Sequence, residues 1–177
     1  MNKKLKLEDL NRLSVLEFKE FEKDSIIVLL DDIRSLNNIG SVFRTCDAMG
    51  IKKMYLCGIT AQPPHREIRK TAIGASESVD WEHGKNASKI LTKYRDLGYE
   101  IIAVEQTSNS VSLENYQLTN KRILLIFGNE IHGVSQNLVD LCDLSLEIPQ
   151  WGTKHSMNIS VSVGVVLWNL KKLFLTK

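Results

Sequence analysis

Two stretches of the chain are apolar without interruption: Ile26 to Leu30, which ends at Asp31-Asp32, and Ile123 to Phe127, which ends at Gly128-Asn129-Glu130. Continuous rather than alternating hydrophobicity is the pattern of strands buried on both faces of a parallel sheet. Met54 to Cys57, Tyr99 to Val104 and, more briefly, Leu144 to Ile148 read as further strands. Helical spacing of apolar residues runs from about Ile39 to Met49 before Gly50, Ala87 to Leu97 before Gly98, Ser135 to Leu141, and finally from about Met157 to Leu173. A glycine just past a periodic stretch is a helix stop, because it takes the left-handed conformation of a C-terminal cap without strain. Strand and helix in alternation predict an α/β fold with a mostly parallel sheet and helices on both faces. Ahead of this, Ser14-Val15-Leu16-Glu17 is a capping-box pattern followed by Phe18 and Phe21, which predicts a short amphipathic helix to about Lys23. Residues 1–24 therefore read as an N-terminal helical extension and 25–177 as one domain. The final helix offers Val161, Val165, Trp168 and Leu170 for burial, in the core or against a second copy.

Composition narrows the function classes. A chain of 177 residues, 43% hydrophobic and 25% charged, is one ordinary globular unit. Lys+Arg 23 against Asp+Glu 21 leaves +2, so bulk positive charge cannot be what holds a polyanion. Any anionic partner must be met by a few placed side chains. The cysteines, Cys46, Cys57 and Cys142, form no CxxC pair and have no histidine at ligand spacing, so buried reduced thiols are expected, with neither disulfide nor metal. The amino-terminal residues mix Glu8, Asp9 and Arg12 with apolar ones, unlike a signal peptide, and no apolar run approaches the ~20 residues of a membrane span. A cytoplasmic location is expected.

Three polar clusters follow predicted strands, where ligands of open parallel sheets bind. In Asn37-Asn38-Ile39-Gly40-Ser41-Val42-Phe43-Arg44, Asn38 and Ser41 can cap a helix whose free N–H groups suit an anion, with Arg44 one and a half turns in. A capped helix carrying a surface arginine explains the same residues. In Phe127-Gly128-Asn129-Glu130-Ile131-His132-Gly133, Gly128 permits close approach of a ligand and Glu130 is a carboxylate able to anchor a sugar hydroxyl or a cation, although a plain glycine turn fits too. In Ile148 to Asn158, Ser156 or Asn158 would serve as N-cap of the last helix, but capping does not explain both together with Lys154 and His155. GxGxxG, a phosphate-binding P-loop and GxSxG are absent, which argues against a dinucleotide oxidoreductase and a serine hydrolase.

Taken in order, Asn38-x-Gly40-x-x-x-Arg44, Phe127-Gly128-Asn129-Glu130-x-x-Gly133, and Ile148-Pro149 with Ser156-Met157-Asn158-x-Ser160-Val161 resemble the three signature motifs of the SpoU/TrmH family of RNA ribose 2'-O-methyltransferases. The stretch from Pro63-Pro64-His65 through Gly74-Ala75 to Val79-Asp80-Trp81 is similar to the one this family carries after its second strand. The resemblance implies a SPOUT-type mostly parallel α/β fold with a C-terminal trefoil knot, S-adenosyl-L-methionine as cofactor, and catalysis near a homodimer interface. It implies catalytic roles for Arg44, Asn38, Glu130, Ser156 and Asn158, and a cofactor held near Val104, Glu105, Gly128, Ile148, Ser156 and Met157. The implied substrate is tRNA or rRNA; a non-catalytic RNA-binding dimer that keeps the fold is the alternative.

A guanidinium has a pKa above ~12 and is a poor base, so Arg44 is expected chiefly to clamp the phosphate beside the target ribose. Arg66, Arg69 and Lys70, a stripe of Lys85, Lys89 and Lys93, and the loop pair Lys154 and His155 are further positions from which phosphates could be met, or simply a solvated surface. Trp81 and Trp151 have rings to stack a base or to sit half-buried.

Overall fold

The computed structural model describes residues 2–175; Met1, Thr176 and Lys177, at the ends of the two segments drawn from sequence, lie outside the described residues. The elements are α1 (Val15–Glu20), β1 (Ser25–Asp31), α2 (Leu36–Ala48), β2 (Lys53–Cys57), α3 (Arg66–Ala72), α4 (Ala75–Ser78), β3 (Trp81–Gly84), α5 (Ala87–Asp96), β4 (Glu100–Val104), β5 (Val111–Ser112), β6 (Arg122–Phe127), α6 (Gln136–Val139), β7 (Leu144–Glu147) and α7 (Ile159–Leu175). Among the described residues the strands form one sheet in the order β3-β2-β1-β6-β4-β7-β5, every pairing parallel. After β4 the chain runs to the far edge, returns to the middle as β6 and then inserts β7 between β4 and β5. This layout is compatible with the C-terminal threading that the resemblance implies.

The uninterrupted apolar runs behave as their pattern predicts. Along β1, Ile26, Val28 and Leu30 point into one core layer while Ile27 and Leu29 point into the other. Along β6, Ile123, Leu125 and Phe127 join the first layer, and Leu124 and Ile126 the second. Each such side chain contributes about 1.5–3 kcal/mol when fully withdrawn from water. The first layer is covered by α2, α3, α4 and α7, the second by α5 and α6. On α2, Ile39, Gly40, Val42, Phe43 and Cys46 are buried, a helical stripe facing the sheet. A Cβ at Gly40 would meet Thr71 Oγ1 at 2.1 Å and the Ile68 carbonyl oxygen at 2.3 Å, so the glycine is what lets α2 and α3 touch. In the second layer, Tyr94 of α5 packs edge-on against Tyr55 and Tyr99.

Several expectations need correction. α2 begins at Leu36 rather than Ile39, and its cap is Ser35, whose Oγ accepts the Asn38 N–H at 3.3 Å; neither Asn38 nor Ser41 is the cap. The reason is that the polar pair Asn37-Asn38 lies inside the helix, on the turn after Ser35. Lys85 precedes the α5 cap, Asn86, so it does not extend a helical stripe with Lys89 and Lys93. On α7, Leu170 is buried, but Val161, Val165 and Trp168 are exposed. They lie opposite the buried stripe of Ile159, Val163, Val166 and Leu167. Trp81 is half-buried, edge-on to Phe43 with its indole N–H donated to the Ser76 carbonyl, and is part of the core surround. The capping box at Ser14 is present, with a helix that ends at Glu20. Among the described residues no helix is long and apolar enough to cross a membrane.

Candidate active site

The carboxyl ends of β1, β4, β6 and β7 lie side by side, because β6 sits between β1 and β4, and β7 beside β4. The loops that leave them are joined by side-chain amides and carboxylates. Glu130, after β6, accepts the backbone N–H of Arg34 at 3.0 Å and of Ser35 at 3.1 Å, and the Asn38 amide N–H at 3.1 Å. Asn158 donates its own amide N–H to the Asn38 side-chain oxygen at 3.2 Å and caps α7, accepting the Ser160 N–H at 2.9 Å. One chain of polar contacts, Glu130 to Asn38 to Asn158, thus connects residues from all three motifs.

The amino end of α2 does meet an anion, and the anion is the protein's own, held by the N–H groups of Arg34 and the cap Ser35 just ahead of the helix. Burial alone pushes the Glu130 carboxyl up, but the N–H donors converging on it outweigh that and hold it below the usual carboxylate range. Glu130 thereby fixes the β1–α2 loop. The turn behind it is equally self-contained. Asn129 donates to the Asp32 carbonyl at 2.7 Å and accepts the backbone N–H of Ile131 and His132. A Cβ on Gly128 would fall 2.1 Å from the Gly133 carbonyl carbon and from Val134 N, so the close approach this glycine permits is of its own loop.

These loops enclose a cavity of about 520 Å³. Val104, Glu105, Gly128, Ile148, Ser156 and Met157, the six residues expected around the cofactor, all line it, as do Glu130 and Asn158. Glu105 is also a tie, accepting the Val134 N–H at 2.8 Å and the Gln106 N–H at 2.9 Å. Ser156 is exposed and carries no hydrogen bond among the described residues. Gln106, which nothing in the sequence marks out, donates to the His155 carbonyl at 2.8 Å and so secures the loop bearing Ser156 and Met157. Glu105, Glu130 and Glu147 line the cavity, and among the described residues no lysine or arginine does. Such a wall suits a cationic, partly apolar ligand, with Phe127, Leu146 and Met157 as apolar surface.

Arg44 is not in this group. Six residues beyond Asn38 on α2, it is displaced by about 9 Å along the axis and about 120° around it. It lines a second cavity, of about 590 Å³, between α1 and the α2–α4 region. The thiols take no part: burial, with Asp31 and Asp32 nearby, pushes the Cys57 thiol up to about 12, and burial beside Asp143 does the same for Cys142. Among the described residues no group of three or more His, Cys, Asp or Glu side chains is placed to hold a metal ion.

Glu130→Gln leaves some of the three N–H donors without an acceptor and lowers unfolding free energy by about 1–2 kcal/mol near neutrality. Because the native carboxyl titrates below its ordinary value, its stabilisation is complete above the ordinary carboxylate range and is lost as pH falls through the lowered native value. Urea unfolding at about pH 7 and about pH 3 is expected to show the wild-type advantage shrinking in acid; an advantage independent of pH contradicts the assignment.

Comparison with known proteins places this geometry. The profile of the SpoU rRNA Methylase family matches residues 25–168. The chain is 28% identical over 162 residues to a tRNA (guanosine(18)-2'-O)-methyltransferase of Aquifex aeolicus, covering 88% of this chain and 73% of that one. It is 31% identical over 142 residues to the 23S rRNA (guanosine-2'-O-)-methyltransferase RlmB of Neisseria meningitidis, covering 80% of this chain and 56% of the other, little more than half its length. Among solved structures, the A. aeolicus TrmH/SpoU tRNA modifying enzyme superposes with a TM-score of 0.82 at 25% identity, over 92% of this chain and 83% of that one. AviRb from Streptomyces viridochromogenes, solved in complex with AdoMet, superposes with a TM-score of 0.80 at 22% identity over 92% of this chain and 65% of that one, a likeness of fold. With a profile match across most of its length and all three motifs at neighbouring strand ends, the chain belongs to the SpoU rRNA Methylase family.

Proposed function

We propose that the protein transfers a methyl group from S-adenosyl-L-methionine to a ribose 2'-OH of tRNA or rRNA. The observation that carries this reading is the cavity at the strand ends, walled by three glutamates without a lysine or arginine and closed by the Glu130–Asn38–Asn158 contacts. When bound, the cofactor would supply an electrophilic methyl on a sulfonium for transfer to the ribose oxygen. The chain's own task is to hold the cofactor in loops that cannot drift apart, so that the two reacting atoms are kept in near-attack contact. Val104, Glu105, Gly128, Ile148, Ser156 and Met157 do the holding. Asn38, Glu130 and Asn158 fix the rim where the ribose arrives, and Ser156, exposed there, is free to meet it.

Arg44 clamps the phosphate next to that ribose. Because its cavity is separate from the cofactor's within one chain, Arg44 of one protomer serves the cofactor cavity of its partner in a homodimer. Two features support the dimer. Among the described residues no lysine or arginine lines the cofactor cavity to hold RNA phosphate, and α7, which packs beside α2, presents an exposed stripe of Val161, Val165 and Trp168, the last with 65% of its surface in solvent. Residues 1–24 act as an extension of the methyltransferase unit, and a cytoplasmic location follows from such substrates.

Labelled S-adenosylmethionine incubated with the protein and unfractionated tRNA or rRNA is expected to give 2'-O-methylated nucleosides on digestion. Arg44→Lys reduces turnover by about 10- to 100-fold, the worth of one charge-assisted hydrogen bond. S-adenosylhomocysteine at about 100 times its Kd adds about 2.7 kcal/mol to stability. RNA binding without methyl transfer or S-adenosylhomocysteine stabilisation would instead establish a non-catalytic RNA-binding dimer. Trp168→Glu is expected to sediment as a monomer and to lose methyl transfer while still binding S-adenosylhomocysteine; a dimeric, active variant contradicts the interface.

A further inference from the structure

The second cavity joins the N-terminal extension to the catalytic arginine. Its volume of about 590 Å³ is within the range of small-ligand clefts, roughly 300–1,000 Å³. Arg12, from the segment before α1, and Arg44, from α2, both line it. Both arginines are exposed, and neither guanidinium makes a hydrogen bond or ion pair among the described residues, even though Asp47 and Glu77 line the same cavity. Asp47 is already occupied by the Ser78 hydroxyl. Two guanidinium groups are thus left with their planar donor arrays unused, and such arrays match phosphate oxygens two at a time. Beside them are apolar groups that remain in solvent: Phe21 is 57% exposed and Ile73 66%. An uncommitted pair of arginines next to an exposed aromatic ring is the combination by which proteins hold unpaired nucleotides, charge on the backbone and ring on the base.

Resting on the methyltransferase reading above, we infer that this groove holds a single-stranded nucleotide of the substrate RNA flanking the methylated ribose, its phosphate on Arg12 and Arg44 and its base against Phe21. The N-terminal extension is then part of the RNA site, and Arg12 is a binding residue beside Arg44. This also answers how a chain of net charge +2 holds RNA: two uncommitted arginines line one groove.

The test uses the full chain and unfractionated tRNA and rRNA as probes, comparing Arg12→Gln, Arg12→Lys and Phe21→Ala across a salt series, with S-adenosylhomocysteine binding and sedimentation measured on each. Arg12→Gln and Phe21→Ala are expected to weaken RNA binding by about 10-fold. Arg12→Gln lowers the slope of log affinity against log salt by about 0.7–0.9, as when one fewer phosphate is neutralised; Arg12→Lys restores that slope, and Phe21→Ala leaves it unchanged. S-adenosylhomocysteine affinity and sedimentation stay as in the wild type. RNA binding unaffected by Arg12→Gln and Phe21→Ala, in a wild type that methylates RNA, overturns the groove and leaves the methyltransferase reading standing. Loss of RNA binding together with a change of oligomeric state overturns it in favour of a subunit contact. A wild type that neither binds RNA nor transfers methyl overturns both.

Discussion

A single carboxylate at the amino end of a helix organises the strand-end loops. Glu130 faces the backbone N–H groups of Arg34 and Ser35 and the side chain of Asn38, ninety-odd residues away in sequence. The dipole of α2 and the N–H groups just ahead of it would otherwise invite an anion from solution. By supplying the anion from the β6 loop, the chain ties the loop after β1 to the loop after β6. Asn38 passes the constraint to Asn158, and through it to the start of α7. The cavity lies against these ties and against those of Glu105 and Gln106, so its shape depends on contacts between loops rather than on the rigidity of any one of them.

Charge is divided between two places. The strand-end cavity has carboxylates and no lysine or arginine, which fits a sulfonium and disfavours phosphate. Arg44 stands in the other cavity with Arg12. On the proposed function, one place takes the methyl donor and the other the polyanion, and reaction requires the two to meet. The proposed two-fold assembly through the exposed face of α7 would bring one protomer's arginine to its partner's cofactor, a chemical reason for a dimer beyond burial of Trp168.

Much of the fold was legible because the middles of β1 and β6, Ile26 to Leu30 and Ile123 to Phe127, are buried on both faces and are apolar throughout. The short elements were not. β3 carries half-exposed Trp81 and exposed Glu82 and His83, β5 is two residues long, and α3 is largely exposed and charged; none leaves a periodicity to read. The final helix was legible as a helix, but its two apolar faces look alike in sequence, and only packing shows that Val163 and Val166 face the core while Val161 and Val165 do not. At the site, the three motifs marked loops that the fold brings together at neighbouring strand ends. What they could not mark was who bonds to whom: that Glu130 holds the loop before α2 and Asn38, that Gly128 makes room for Val134, or that Arg44 lies on another side of α2 from Asn38. Gln106 had no signal at all, since a lone glutamine after a strand is common.

The central claim is that Glu130 couples three loops into one cooperative rim. Amide hydrogen exchange, residue by residue, on Glu130→Gln measures this directly. Faster exchange is expected not only at Arg34 and Ser35, which then share one remaining amide oxygen with Asn38, but also at Ser160, whose amide is held by Asn158 on the third loop. Loss of protection confined to Arg34 and Ser35, with Ser160 exchanging as in the wild type, would contradict that claim.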